Sequence, residues 1–225
     1  MNLEFKENQK ITVIFDKTVS HNVDPQNGFT PLCPNELPVP DGHFIVDELN
    51  NQNNLVKYKT VSKDIHPNNS IWIATKEKPQ FSKIEGDNVD IRWNSHCISG
   101  TFGSQLLNGL PKITEYDFFV SKGFEPDVHP YSSCYHDISK KISTGLIEWY
   151  KDKDISTIIV GGLATDYCVG ETVIDLSNAG FQVILNLNAC RGIGNIKEID
   201  DYINMLIDEY NVIVIDSYKD IDVIY

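Results

Sequence analysis

No apolar run in this 225-residue chain approaches the ~18 residues needed to span a bilayer, which excludes a membrane helix. Positive charge is scarce. The 19 lysines and arginines stand against 32 aspartates and glutamates, a formal net charge of −13, which argues against nucleic acid or an anionic membrane as partner. The five cysteines, Cys33, Cys97, Cys134, Cys168 and Cys190, contain no C-x-x-C pair. Their odd count and the polar, mixed-charge stretch over residues 1–10, which does not read as a signal peptide, lead us to expect reduced thiols in a cytoplasmic protein. There is no internal repeat and no low-complexity linker, so residues 1–225 read as a single domain.

What is present alternates. Apolar, β-branched stretches at residues 11–15, 18–24, 57–62, 118–120, 157–160, 181–185 and 212–215 read as strands. Helical periodicity falls between them, at 42–53, 133–150, 166–179 and 197–210. Such alternation predicts an α/β fold: one central, mostly parallel sheet with helices on both faces. Residues 64–115 break the pattern, being rich in Asn, Pro, Gly and Ser with scattered aromatics, and loops of that length inside a compact domain are usually functional. The acidic end, 216–225, reads as a final short packed piece of no assigned place.

The most informative stretch is Gly161-Gly162-Leu163-Ala164-Thr165-Asp166-Tyr167-Cys168-Val169, between a strand pattern and a helix pattern. A cysteine there sits where open α/β sheets put reactive groups, and the free N–H groups of a helix start favour its thiolate. A lone buried cysteine is more often a small hydrophobe, but two other charged groups fall at equivalent places. Asp24 ends the second strand and Lys122 follows the fourth. A carboxylate, an ammonium and a thiol at the same sheet edge make a nucleophile, its base and a charge stabiliser. Asp64-Ile65-His66-Pro67 and Trp93-Asn94-Ser95-His96 add a carboxylate and two imidazoles, a set suited to a divalent metal with open positions. Alone, D-x-H recurs by chance; with the other clusters it gains weight.

Taken in order, these motifs carry a resemblance. D-x-Q-N-x-F at 24–29, D-x-H-P at 64–67, W-x-x-H-C at 93–97, K-G at 122–123, Y-S at 131–132, G-L-A-T-D-Y-C-V at 162–169 and A-C-R-G at 189–192 resemble the nicotinamidases of the isochorismatase-like cysteine hydrolases. The resemblance implies that fold and hydrolysis of nicotinamide to nicotinate and ammonia. It implies a triad of Asp24, Lys122 and Cys168, with backbone donors at Ala164 and Cys168 as the oxyanion hole and a cis peptide between Leu163 and Ala164. It implies one divalent metal, zinc first and iron or manganese as alternatives, on Asp64, His66 and His96. It also implies a substrate pocket lined by Phe29, Trp93, Tyr131, Leu163 and Tyr167. The partner is then a small molecule, neither nucleic acid nor membrane, with room for a homo-oligomer.

The chain departs from that pattern in places. A position often held by a further histidine is Ser70, leaving the metal shell lighter or completed by water. Ile65 replaces an aromatic, the first strand of the family pattern is unusually polar over 17–22, and segments 81–92 and 104–114 match no motif. Two other readings stay open: a hydrolase of another small amide, carbamoyl or ureido compound, and a non-catalytic metal-binding or interaction protein on the same scaffold.

Overall fold

A computed structural model describes residues 10–225. Its strands are β1 (Ile11–Ile14), β2 (Thr18–Val23), β3 (Tyr58–Asp64), β4 (Phe118–Lys122), β5 (Thr157–Leu163), β6 (Gln182–Arg191), β7 (Ile213–Ile215) and β8 (Ile221–Ile224). Its α-helices are α1 (Val46–Asn54), α2 (Leu146–Asp152), α3 (Gly170–Asn178) and α4 (Ile196–Tyr210). Six strands form one sheet in the order β4-β3-β2-β5-β6-β7, every pair parallel. The order reverses between β2 and β5, so the chain leaves those two strands in opposite directions and opens a crevice at their C-terminal ends.

The apolar runs predict this sheet because a parallel sheet is covered on both faces. On one face Val160, Val183 and Leu185 meet Leu146 and Tyr150 of α2, Val173 and Leu176 of α3, and Ile203 and Leu206 of α4. On the other, Ile45 and Leu49 pack with Leu163 and Ala189. Gly162 lies at φ +138°, and a Cβ there would come within 2.0 Å of the Val23 carbonyl oxygen. Only glycine lets β5 approach β2 so closely at the crevice.

The polarity of β2 has a physical account. All six of its residues are buried, and its polar side chains are paired. Ser20 donates to Asn53 at 2.6 Å, the Asn22 amide donates to the Tyr116 hydroxyl at 3.1 Å, and His21 Nδ1 meets the Thr60 hydroxyl at 2.9 Å. A buried strand tolerates polar residues when each finds a partner.

Three expectations need correction. The helix expected over 133–150 is only α2. Before it, the Asp137 carboxylate accepts from the N–H groups of Lys141 and Ile142 at 3.0 and 2.8 Å, and Gly145 turns the chain at φ +86°. Side-chain capture of backbone donors offers the chain an alternative to helix there. The strand at 11–15 stays out of the main sheet. As β1 it pairs in parallel with β8, Ile11 opposite Ile221, which places the acidic end left unassigned above. Finally, Cys168 lies in a single π-helical turn, Thr165–Val169, and α3 starts only at Gly170. Such turns occur frequently at functional sites.

Candidate active site

Four strand ends build the site. Asp24 follows β2, Asp64 ends β3, Lys122 ends β4, and the π-turn after β5 carries Cys168. Asp24 adopts the left-handed conformation, φ 42°, which aspartate tolerates better than most residues. Gln26 ties that turn to β3: its amide donates to the Asp64 carbonyl at 2.7 Å, and its side-chain oxygen accepts from the Asp64 N–H at 2.7 Å. Segment 104–114, which had no motif, holds the same turn from the other side. Asn27 donates to the Gln105 carbonyl at 3.0 Å and Leu107 to the Pro25 carbonyl at 2.9 Å.

Lys122 is the hub. Its ammonium lies 3.0 Å from Asp24 Oδ2, 2.7 Å from Asp64 Oδ1 and 3.7 Å from Cys168 Sγ, with no solvent exposure. Burial alone would lower its pKa, but the charges of the Asp24 and Asp64 carboxylates outweigh that and hold it well above the ordinary lysine value. Burial pushes the Asp24 carboxyl up despite the ammonium beside it. Burial also pushes the Cys168 thiol well up, more than Lys122 pulls it down. This differs from the sequence expectation of a thiolate favoured by a helix start: desolvation prevails, and the resting nucleophile is a thiol that needs a base. Ser62, which sequence reasoning did not single out, donates to Asp24 Oδ1 at 2.6 Å and accepts from Ser133 at 2.9 Å, orienting that base.

Asp64 links this triad to a second cluster. Its Oδ2 lies 3.2 Å from His66 Nε2 and 3.9 Å from His96 Nε2. His66 Nδ1 faces the Gly123 carbonyl at 3.1 Å, and His96 Nδ1 faces the Asn94 carbonyl at 2.6 Å. A carbonyl only accepts, so both Nδ1 atoms carry the proton and both Nε2 lone pairs are free, the arrangement metal-bound histidines use. Asp64 Oδ2, His66 Nε2 and His96 Nε2 are all buried without a hydrogen-bond partner. Buried polar atoms are rarely left so, and an ion among them would satisfy all three. These residues therefore fit a divalent metal. Gly123, at φ +82°, presses against His66, where a Cβ would lie 2.5 Å from Cε1. The Ser70 hydroxyl donates to the Pro67 carbonyl at 2.9 Å.

Between the two clusters lies a narrow pocket lined by Phe29, Trp93, Tyr131, Ala164, Tyr167 and Cys168, with Asp64, His96 and His129 at its wall. Trp93 donates to the Tyr131 hydroxyl at 3.2 Å, which donates to Asp90 at 2.8 Å, so the unassigned segment 81–92 braces the aromatic wall. Leu163 is not on that wall. It is wholly buried in the core behind it, because the side chain of a β5 residue preceding the turn faces α1. The peptide between Leu163 and Ala164 is cis.

A parallel sheet with a cysteine, an aspartate and a lysine converging at its switch point defines a hydrolase of the α/β cysteine class. The isochorismatase domain model matches residues 22–216, and the chain belongs to that family. It is 33% identical over 174 residues to a nicotinamidase of Acinetobacter baylyi, covering 76% of this chain and 79% of that protein. Among solved structures, a nicotinamidase and pyrazinamidase of Acinetobacter baumanii superposes with a TM-score of 0.80 at 30% identity, over 89% of this chain and 96% of that one. A pyrazinamidase of Pyrococcus horikoshii, solved in complex with zinc, shares the fold with a TM-score of 0.70 at 24% identity, over 88% and 98% of the two chains.

Proposed function

We propose that this protein hydrolyses nicotinamide to nicotinate and ammonia through a thioester on Cys168. The observation that carries the reading is the position of the Lys122 ammonium, within reach of Asp24, Cys168 and Asp64 together. It joins the bond-breaking groups to the wall that would hold the ring.

Asp24 takes the Cys168 proton as the sulfur attacks the amide carbon. A carboxyl raised by burial is a better match to a thiol than an ordinary one, which is what general base catalysis needs. Backbone N–H groups of Ala164 and Cys168 receive the developing oxyanion. Asp24 then returns its proton to the departing amine, the C–N bond breaks, and ammonia leaves. Water, deprotonated by Asp24, cleaves the thioester and frees nicotinate and the thiol. Lys122 keeps its proton throughout and offsets the carboxylate charge. Asp64, His66 and His96 would hold a divalent metal, zinc first and iron or manganese as alternatives. When bound, the ion supplies a Lewis-acidic anchor for the pyridine nitrogen and for water. Phe29, Trp93, Tyr131 and Tyr167 exclude solvent and clamp the ring, so that binding converts to proximity. Five free cysteines suit a cytoplasmic location.

The test compares nicotinamide with benzamide, which lacks the ring nitrogen, before and after chelation. The reading predicts a strong preference for nicotinamide, carried by KM and abolished by the chelator. Equal use of both amides by the untreated protein would refute the ring-nitrogen assignment.

A further inference from the structure

One buried imidazole beside the site has no role in the reading so far. His129 lies on the loop after β4, 3% exposed, and neither of its ring nitrogens has a hydrogen-bond partner. An ordinary core histidine satisfies at least one nitrogen, as His21 does through Thr60 at 2.9 Å. His129 satisfies none, and its surroundings hold it in place. Its ring stacks on His66 at 5.3 Å and 13°, and on Trp93 at 5.8 Å and 15°, and meets Trp72 edge-on at 4.6 Å. Its backbone N–H donates to the Asn88 carbonyl at 2.9 Å. A neutral imidazole carries one nitrogen with a free lone pair, and no side chain or backbone group occupies it here. One ligand atom from each of Asp64, His66, His96 and His129 lies within 4.8 Å of the others.

We propose that His129 is a fourth protein ligand of the metal, giving a shell of one carboxylate and three imidazoles. The proposal rests on the metal reading above and goes beyond it in two ways. The shell is not lightened by Ser70, because a histidine from a different loop supplies the missing donor. Four protein ligands also saturate a tetrahedral ion, so a ring nitrogen must enter as a fifth or sixth ligand. Metals that readily take five or six ligands, such as iron, manganese or cobalt, keep a position open for it, whereas zinc must expand its shell.

His129→Phe tests this, because phenylalanine keeps a flat ring between His66 and Trp93 but cannot ligate. Zn(II) and Co(II) are titrated into metal-stripped wild type, His96→Ala and His129→Phe against a chromophoric chelator, with circular dichroism melts as the check on folding. X-ray absorption of the Co(II) forms counts imidazoles. The proposal predicts one tight ion per wild-type chain, a Kd raised at least about 100-fold in His129→Phe, beyond the 10–100-fold typical of losing a ligand's outer partner, and one imidazole fewer in its spectrum. Should His129→Phe not fold, His129→Gln carries the same comparison. Wild type binding tightly, His96→Ala losing the ion and His129→Phe holding it within threefold would overturn the proposal while leaving the metal reading intact. A raised KM for nicotinamide with unchanged metal Kd would do the same and make His129 a substrate contact. Wild type that takes up no ion would end the metal reading and this proposal together.

Discussion

Replacing Lys122 by methionine tests the electrostatic core of the site. The side chain has no solvent exposure and its ammonium sits 3.0 and 2.7 Å from two buried carboxylates. Methionine matches its length and packing but leaves Asp24 and Asp64 facing each other without a cation. Breaking a buried pair by removing one partner costs about 3–5 kcal/mol, because the charge left behind is uncompensated. The sign with pH is definite. The folded pKa of Lys122 is raised, so its stabilisation is complete below the ordinary lysine value and is lost only as pH rises through the folded one. Urea unfolding at pH 7 therefore reads the whole effect. A double-mutant cycle with Asp24→Asn isolates the pair: Asp24→Asn should destabilise the methionine variant less than wild type, since it removes one of the unpaired charges. The thiol should respond as well. Lys122 is the main group lowering the Cys168 pKa, so alkylation by iodoacetamide should need a higher pH in the variant. A stability loss under 1 kcal/mol, or an additive cycle with an unchanged alkylation profile, would refute the hub described above.

Asp24→Asn alone should lower kcat by about 10²–10⁴-fold with native-like folding, as loss of a positioned acid–base does; a near-normal rate with an unchanged pH profile would remove Asp24 as the base. His21, buried and lowered from 6.5 to about 3 by desolvation, stays neutral in the fold while the unfolded chain takes up a proton below pH 6.5. Its contribution is therefore complete above pH 6.5 and is lost as pH falls, about 2 kcal/mol by pH 5 at about 1.4 kcal/mol per unit. Urea titrations at pH 7 and 5 should show that slope reduced in His21→Asn, and equal slopes would place the effect elsewhere.

The strand ends were legible because their neighbours are. A β-branched run must be buried in a sheet, and Asp24, Asp64, Lys122 and the segment before Cys168 each follow one directly. Parallel pairing then brings them together whatever their separation in sequence. Legibility failed where tertiary contacts decide. The helical pattern over 133–150 was real, but Asp137 captures the backbone donors its first turns would have used. The pairing of β1 with β8 joins the two ends of the described chain, which no local period encodes. Leu163 belongs to a pocket motif by position, yet the strand's alternation turns it into the core. His129 sits on a loop between the K-G and Y-S motifs, followed by proline as His66 is, at no metal-ligand spacing. Only the fold sets it against His66. The polarity of β2 read as an irregularity, and its meaning lay in partners from α1, β3 and the loop carrying Tyr116.

The most direct test of the catalytic account is acid-quenching of wild type during turnover of nicotinamide, followed by peptide mapping by mass spectrometry alongside an ammonia assay. The account predicts ammonia release, a nicotinoyl group on the Cys168 peptide and on no other cysteine, and neither in Cys168→Ala. Absence of ammonia from wild type, or a Cys168→Ala variant that keeps a tenth of wild-type turnover, would contradict it.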